Sequence, residues 1–116
     1  MEWRICKRPQ WFRGMKSNKL KEFEFIRAEI DEGVFLVFPH YDKKFEIKAY
    51  SVWLQTNSHV IDGGDNFALK IRKCDSFSEG CRIARSFYEE LKEGNNPKFI
   101  GTQYIDSDIY LDGPFI

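Results

Sequence analysis

The chain has 116 residues, 42% of them hydrophobic and 31% charged, and its 18 basic and 18 acidic residues give a formal net charge of zero. This balance argues against a generally basic, histone-like nucleic-acid binder and against a strongly acidic nucleic-acid mimic. The length predicts a single α+β domain, 1–116, that can bury a hydrophobic core. The longest apolar run is too short to span a bilayer and no secretory leader is visible, so we expect a cytoplasmic protein without membrane contacts.

Residues 1–18 form a basic and aromatic N-terminal segment, in which Pro9 and Gly14 interrupt regular structure. The first 28 residues carry eight bases and three acids, a net charge of +5 that leaves −5 for the remainder. Bases bind phosphates and rings stack on nucleobases, but Trp and Arg are also frequent at protein interfaces. The candidate binding residues are Trp3, Arg4, Lys7, Arg8, Trp11, Phe12, Arg13 and Lys16.

Alternating apolar and polar residues predict a series of strands after this segment. In the first of them, the apolar residues change parity between Phe25 and Ile26, which predicts a β-bulge there. Residues 34–38 are apolar on both faces, as in a central strand. The alternation continues in a long strand over 45–54. Two further strands, 59–61 and 67–72, are predicted to form a hairpin around a glycine turn.

The apolar spacing then changes to three and four residues, which predicts a helix over 77–93. Ser76 and Glu79 fit a capping box at its start, and Gly94 fits its end. The apolar stripe of this helix is not stable in water, so we expect the helix to lie on the sheet. The stripe comprises Phe77, Gly80, Cys81, Ala84, Phe87, Tyr88 and Leu91.

A final strand is predicted over 105–112, where apolar residues alternate with aspartates. Short connections favour an antiparallel meander. The predicted fold is therefore α+β, with a meander of about five strands and a helix at about 77–93 packed on one face as a second layer.

No residue pattern predicts a catalytic centre. The histidines, His40 and His59, each have the chemistry to activate a thiol, but neither lies in a nucleophile motif. The three cysteines, Cys6, Cys74 and Cys81, fit no metal pattern, and we expect reduced thiols of an intracellular protein.

The acidic residues offer one metal-binding alternative. Asp106 and Asp108 share a face of the predicted final strand, and Asp62 and Asp65 flank a glycine turn. Carboxylates at such spacing can hold a magnesium or calcium ion, but aspartates on an edge strand more often face solvent and discourage pairing.

These patterns together predict a non-enzymatic small binding module that acts through protein–protein recognition without a cofactor. Its size suits a regulator or inhibitor of the kind that phages and mobile elements encode. Two alternatives stay open: a single-stranded nucleic-acid-binding protein that uses the N-terminal segment, and a metal-dependent enzyme that uses Asp106 and Asp108. The protein partner is unidentified, and a homodimer also stays open.

Overall fold

The structure, a computed structural model, describes residues 1–9, 22–44, 46–56 and 67–104. These residues form six antiparallel strands, which lie in sequence order in one sheet, and a helix that connects the last two strands. The predicted α+β fold is confirmed, with six strands rather than about five. The elements are β1 (Trp3–Pro9), β2 (Glu22–Ile30), β3 (Gly33–Tyr41), β4 (Ile47–Thr56), β5 (Phe67–Cys74), α1 (Phe77–Lys92) and β6 (Gly101–Tyr104).

The sequence patterns do not predict two of these strands, β1 and β6. β1 lies inside the N-terminal segment and pairs with β2 over all seven of its residues. Its four-residue counterpart at the other edge, β6, pairs with the first half of β5. The predicted strands 59–61 and 105–112 lie outside the described residues.

The predicted bulge between Phe25 and Ile26 is wrong. β2 keeps a continuous register with β1 through this point, and its pairing with β3 begins at Ile26 without a register shift. The apolar residues change parity because the two ends of β2 bury opposite faces, with Phe25 on one side of the sheet and Ile26 on the other. Register shifts occur instead at His40/Tyr41 between β3 and β4 and at Val52/Trp53 between β4 and β5.

Both faces of the sheet are buried. α1 packs across β3, β4 and β5 on one face, and the opposite face is buried as deeply, since Phe25 is 0% and Phe38 1% exposed. The helix-side cluster comprises Ile26, Phe35, Val37, Val52, Leu54, Leu69, Ile71, Cys74, Ala84 and Phe87. The opposite-face cluster comprises Phe23, Phe25, Leu36, Phe38, Trp53 and Ala68.

Both ends of α1 are capped at the predicted residues, although Glu79 bonds the N–H one residue before the N-cap rather than that of Ser76. Ser76 Oγ accepts a hydrogen bond from the Glu79 N–H at 3.0 Å, and the Glu79 carboxylate accepts one from the Asp75 N–H at 3.0 Å. At the other end Gly94 has a φ of 81°, and its N–H and that of Asn95 donate to carbonyls of the last turn. In the part of the chain that the structure describes, no helix has the length and hydrophobicity to cross a membrane.

Gly80 lets α1 approach β3 closely. A Cβ at this position would lie 2.8 and 2.9 Å from the two γ-methyl groups of Val37, which is 0% exposed. Val is β-branched and has little rotamer freedom to move away. We therefore expect Gly80→Ala to lower the free energy of unfolding by about 1–2 kcal/mol in urea titrations, because overpacking outweighs the gain in helix propensity.

Val37→Ala provides the matched background for this test. It removes both methyl groups, so Gly80→Ala in that background should raise the free energy of unfolding by about 0.5–1 kcal/mol through helix propensity. If Gly80→Ala has the same effect on the free energy of unfolding in both backgrounds, contact with Val37 is not the reason for a glycine at this position.

Candidate interaction surface

The described candidate residues lie on β1, which forms one edge of the sheet. Residues directly opposite each other in an antiparallel pair share a face. The register with β2 therefore places Trp3, Ile5 and Lys7 on the helix side of the sheet, and Arg4 and Cys6 on the opposite side. An edge strand can add a further strand through its outer main-chain groups.

The helix side of β1 is apolar and partly open. Ile5 is 70% exposed, although Ile26, which lies opposite it on β2, is only 6% exposed. Trp3 is half-buried and packs against the helix-side cluster. α1 packs mainly over β3 to β5 and does not cover Ile5. Ile5 therefore stays accessible to solvent next to the half-buried Trp3 side chain.

A cavity of about 310 Å³ lies between Lys7 of β1 and Phe77 at the start of α1. Lys7 and Glu24 line it and face each other across the strands, with 3.8 Å between Lys7 Nζ and Glu24 Oε1. Tyr41, Phe77 and Ile47, the last of them 48% exposed, complete the lining. The cavity suits an apolar side chain of a partner, next to a polar group.

The opposite side of β1 carries charges of both signs at its outer margin. Arg4 lies directly opposite Arg27 on β2, and both line a small cavity of about 130 Å³ with Glu2 and Glu29. Glu29 Oε1 accepts a hydrogen bond from Arg27 Nη2 at 2.9 Å. The Arg27 charge is therefore offset within β2, whereas the exposed Arg4 lies one strand further out.

A larger groove of about 600 Å³ lies away from β1, along the flank of α1. Its lining includes the bases Arg72, Arg82 and Lys98 and the acids Glu79 and Glu90. Charges of both signs line this groove, so its chemistry does not select one class of ligand.

The structure places His40 in a hydrogen-bond network with a serine. His40 Nε2 lies 2.8 Å from Ser51 Oγ, and the indole N–H of Trp53 donates to the same oxygen at 2.8 Å. Ser51 is 0% exposed, so a substrate cannot reach its hydroxyl. The arrangement favours a role for His40 in the stability of the sheet, and His59 lies outside the described residues.

Cys74 and Cys81 are free thiols that pack in and against the helix-side cluster. Burial raises the pKa of the Cys74 thiol above its ordinary value of 9.0, and the carboxylates of Glu79 and Asp75 raise it further. Burial also raises the pKa of Cys81, against the lowering effect of Arg85. Both thiols are therefore protonated at neutral pH, the form that is a poor nucleophile.

The metal-binding alternative concerns residues that lie beyond the described ranges, since Asp106, Asp108, Asp62 and Asp65 all fall outside them. Among residues 1–9, 22–44, 46–56 and 67–104, no group of three or more His, Cys, Asp and Glu side chains is placed to hold a metal ion.

The structure thus places Trp3, Arg4 and Lys7 of the predicted binding residues on one edge strand, with Arg4 on the face opposite to Trp3 and Lys7. Only the backbone position of Arg8, opposite Phe23, is described. We call the set Trp3, Arg4, Ile5, Lys7 and Ile47 the β1 surface. Sequence reasoning missed Ile5, although its spacing of two residues from Trp3 places both on one face of a strand. It also missed Ile47, which only the fold brings near Lys7. The predicted residues Trp11, Phe12, Arg13 and Lys16 lie outside the described residues.

Comparison with known proteins adds no relative. The chain matches no protein-family model, no curated protein and no solved structure. Since an α+β fold serves many unrelated roles, a function has to be argued from the chemistry of the surface.

Proposed function

We propose that this chain is a non-enzymatic binding module that recognises another protein through the β1 surface. The observation that carries the proposal is the 70% exposure of Ile5 in the middle of an edge strand. An exposed aliphatic side chain between bases, with a half-buried Trp beside it, has the composition of an interface centre with a polar rim. A small cytoplasmic regulator or inhibitor of a phage or mobile element would act through such a surface.

Two observations favour a protein over single-stranded nucleic acid as the ligand. The ring of Trp3 packs against the helix-side cluster, whereas stacking on bases needs an accessible ring face. Lys7 pairs with Glu24, and this carboxylate weakens the attraction of Lys7 for phosphate groups.

The nucleophilic groups described above support binding rather than catalysis. The hydroxyl of Ser51 is inaccessible, and burial keeps the Cys74 and Cys81 thiols in their protonated form. A surface that acts by recognition needs none of these groups to react.

A pull-down from host lysate with matched variants tests the proposal. Wild type and Ile100→Asp should retain the same protein, whereas Ile5→Asp should retain about tenfold less of it, because an unpaired carboxylate would be buried in the interface. Ile100 is a suitable control because it is 63% exposed but lies beside β6 at the other edge of the sheet. If no protein is retained, or if both variants retain it equally, the β1 surface is not a recognition site.

A further inference from the structure

We propose that the partner binds as an extended segment that adds to the edge of β1, and that this segment alternates acidic and aliphatic residues. The inference rests on the proposed function and specifies the kind of partner. In strand addition, main-chain hydrogen bonds along a sheet edge supply affinity, and the alternating side chains of the peptide supply specificity.

The sheet offers a suitable edge at β1. β1 has seven residues, compared with four in β6 at the other edge. One side of β1 pairs with β2, and the order of the described strands places none on its other side. Pro9 has no N–H to donate, so the positions available for pairing are those before it.

Charge complementarity indicates which segment fits. β1 contains three bases and no acid, but Lys7 is paired with Glu24 on β2, so the base that carries the charge argument is Arg4. The side chains of an added strand would lie about 4.5–5.5 Å from those of β1. On one face, an acidic side chain would lie opposite Arg4; on the other face, an aliphatic side chain would cover Ile5. The aliphatic stem of Lys7 can extend the same apolar contact.

A second copy of this chain fits the edge less well. If β1 paired with β1 of another copy over all seven residues, Arg4 would lie opposite Arg8 at two positions. Like charges that face each other directly destabilise a strand pair. The same register would place Cys6 of one copy opposite Cys6 of the other, so a dimer of this kind would be detectable as a disulfide.

A labelled octapeptide of alternating glutamate and isoleucine is the probe, with fluorescence anisotropy as the readout. Successive residues of a strand direct their N–H groups to opposite edges. Two versions of the peptide, N-methylated either at every glutamate or at every isoleucine, therefore separate main-chain pairing from side-chain contact. We expect one version to bind like the parent peptide and the other to lose binding.

Arg4→Glu tests the charge pattern; it turns the like-charge pair with Arg27 into an opposite-charge pair, in a cavity that Glu2 and Glu29 also line. It should weaken binding of the parent peptide about tenfold, as should replacement of the peptide's glutamates by glutamine. Arg82→Glu, on an exposed position of α1, is the matched control and should leave binding unchanged.

Three results would overturn the inference. The first is that the two N-methylated peptides bind equally well, or that neither of them binds. The second is binding of a fifteen-residue oligothymidylate that Arg4→Glu abolishes while the peptide does not bind. The third is a disulfide-linked dimer through Cys6. If the peptide fails to bind but Ile5→Asp still releases the partner in the pull-down, recognition by the β1 surface stands and strand addition does not.

Discussion

Phe38→Ala is expected to lower the free energy of unfolding by about 3–5 kcal/mol, as much as Phe35→Ala, although the two side chains lie on opposite faces of the sheet. Phe38 is 1% exposed, and its ring centroid lies 4.7 Å from that of Phe25 and 6.1 Å from that of Phe23. Phe35 is 0% exposed and meets Phe87 of α1 edge-on at 6.2 Å. Both truncations remove a large ring from a closely packed site.

Urea titrations of the two variants would measure this equivalence, with Ile5→Ala as the exposed control. Since Ile5 is 70% exposed, its truncation should change the free energy of unfolding by less than about 0.5 kcal/mol. A sheet with one face in water would lose little when Phe38 is truncated. A cost below about 1 kcal/mol for Phe38→Ala would contradict burial of both faces.

Burial of both faces is also where the sequence was hardest to interpret. Helix α1 follows from local signals, because its apolar spacing and the caps at Ser76 and Gly94 lie within the helix and its flanks. The parity change between Phe25 and Ile26 cannot be interpreted from the residues of this strand alone. It can arise from a bulge or from burial of opposite faces at the two ends of one strand, and only the neighbouring strands decide between them.

The candidate surface, like the fold, was predictable from the sequence only in part. Composition selected Trp3, Arg4 and Lys7 because rings and bases stand out in the N-terminal segment, but it gave no reason to choose Ile5. The exposure of Ile5 depends on how far α1 extends across the sheet, which is a property of the assembled fold. The presence of Ile47 beside Lys7 depends on the register of β4, which no local pattern encodes.

Ser51→Ala is expected to lower the free energy of unfolding by about 1–3 kcal/mol, because it deprives buried polar groups of their hydrogen-bond partner. The indole N–H of Trp53, a residue that is 3% exposed, loses the oxygen to which it donates at 2.8 Å. His40 Nε2 loses its 2.8 Å contact with the same hydroxyl. Ser86→Ala, on an exposed position of α1, is the control and should stay within about 0.5 kcal/mol of wild type.

A double-mutant cycle with Trp53→Phe separates the hydrogen bond from loss of the serine itself. In the Trp53→Phe background there is no indole N–H that could lose its acceptor. Ser51→Ala should therefore lower the free energy of unfolding by about 0.5–2 kcal/mol less than it does in wild type. Equal costs in both backgrounds would show that the bond contributes nothing. The network joins β3 to β4 next to the register shift at His40/Tyr41, which sets Tyr41 and Ile47 in the cavity beside β1. Loss of the network should therefore also reduce retention of the partner by the β1 surface, whereas Ser86→Ala should not.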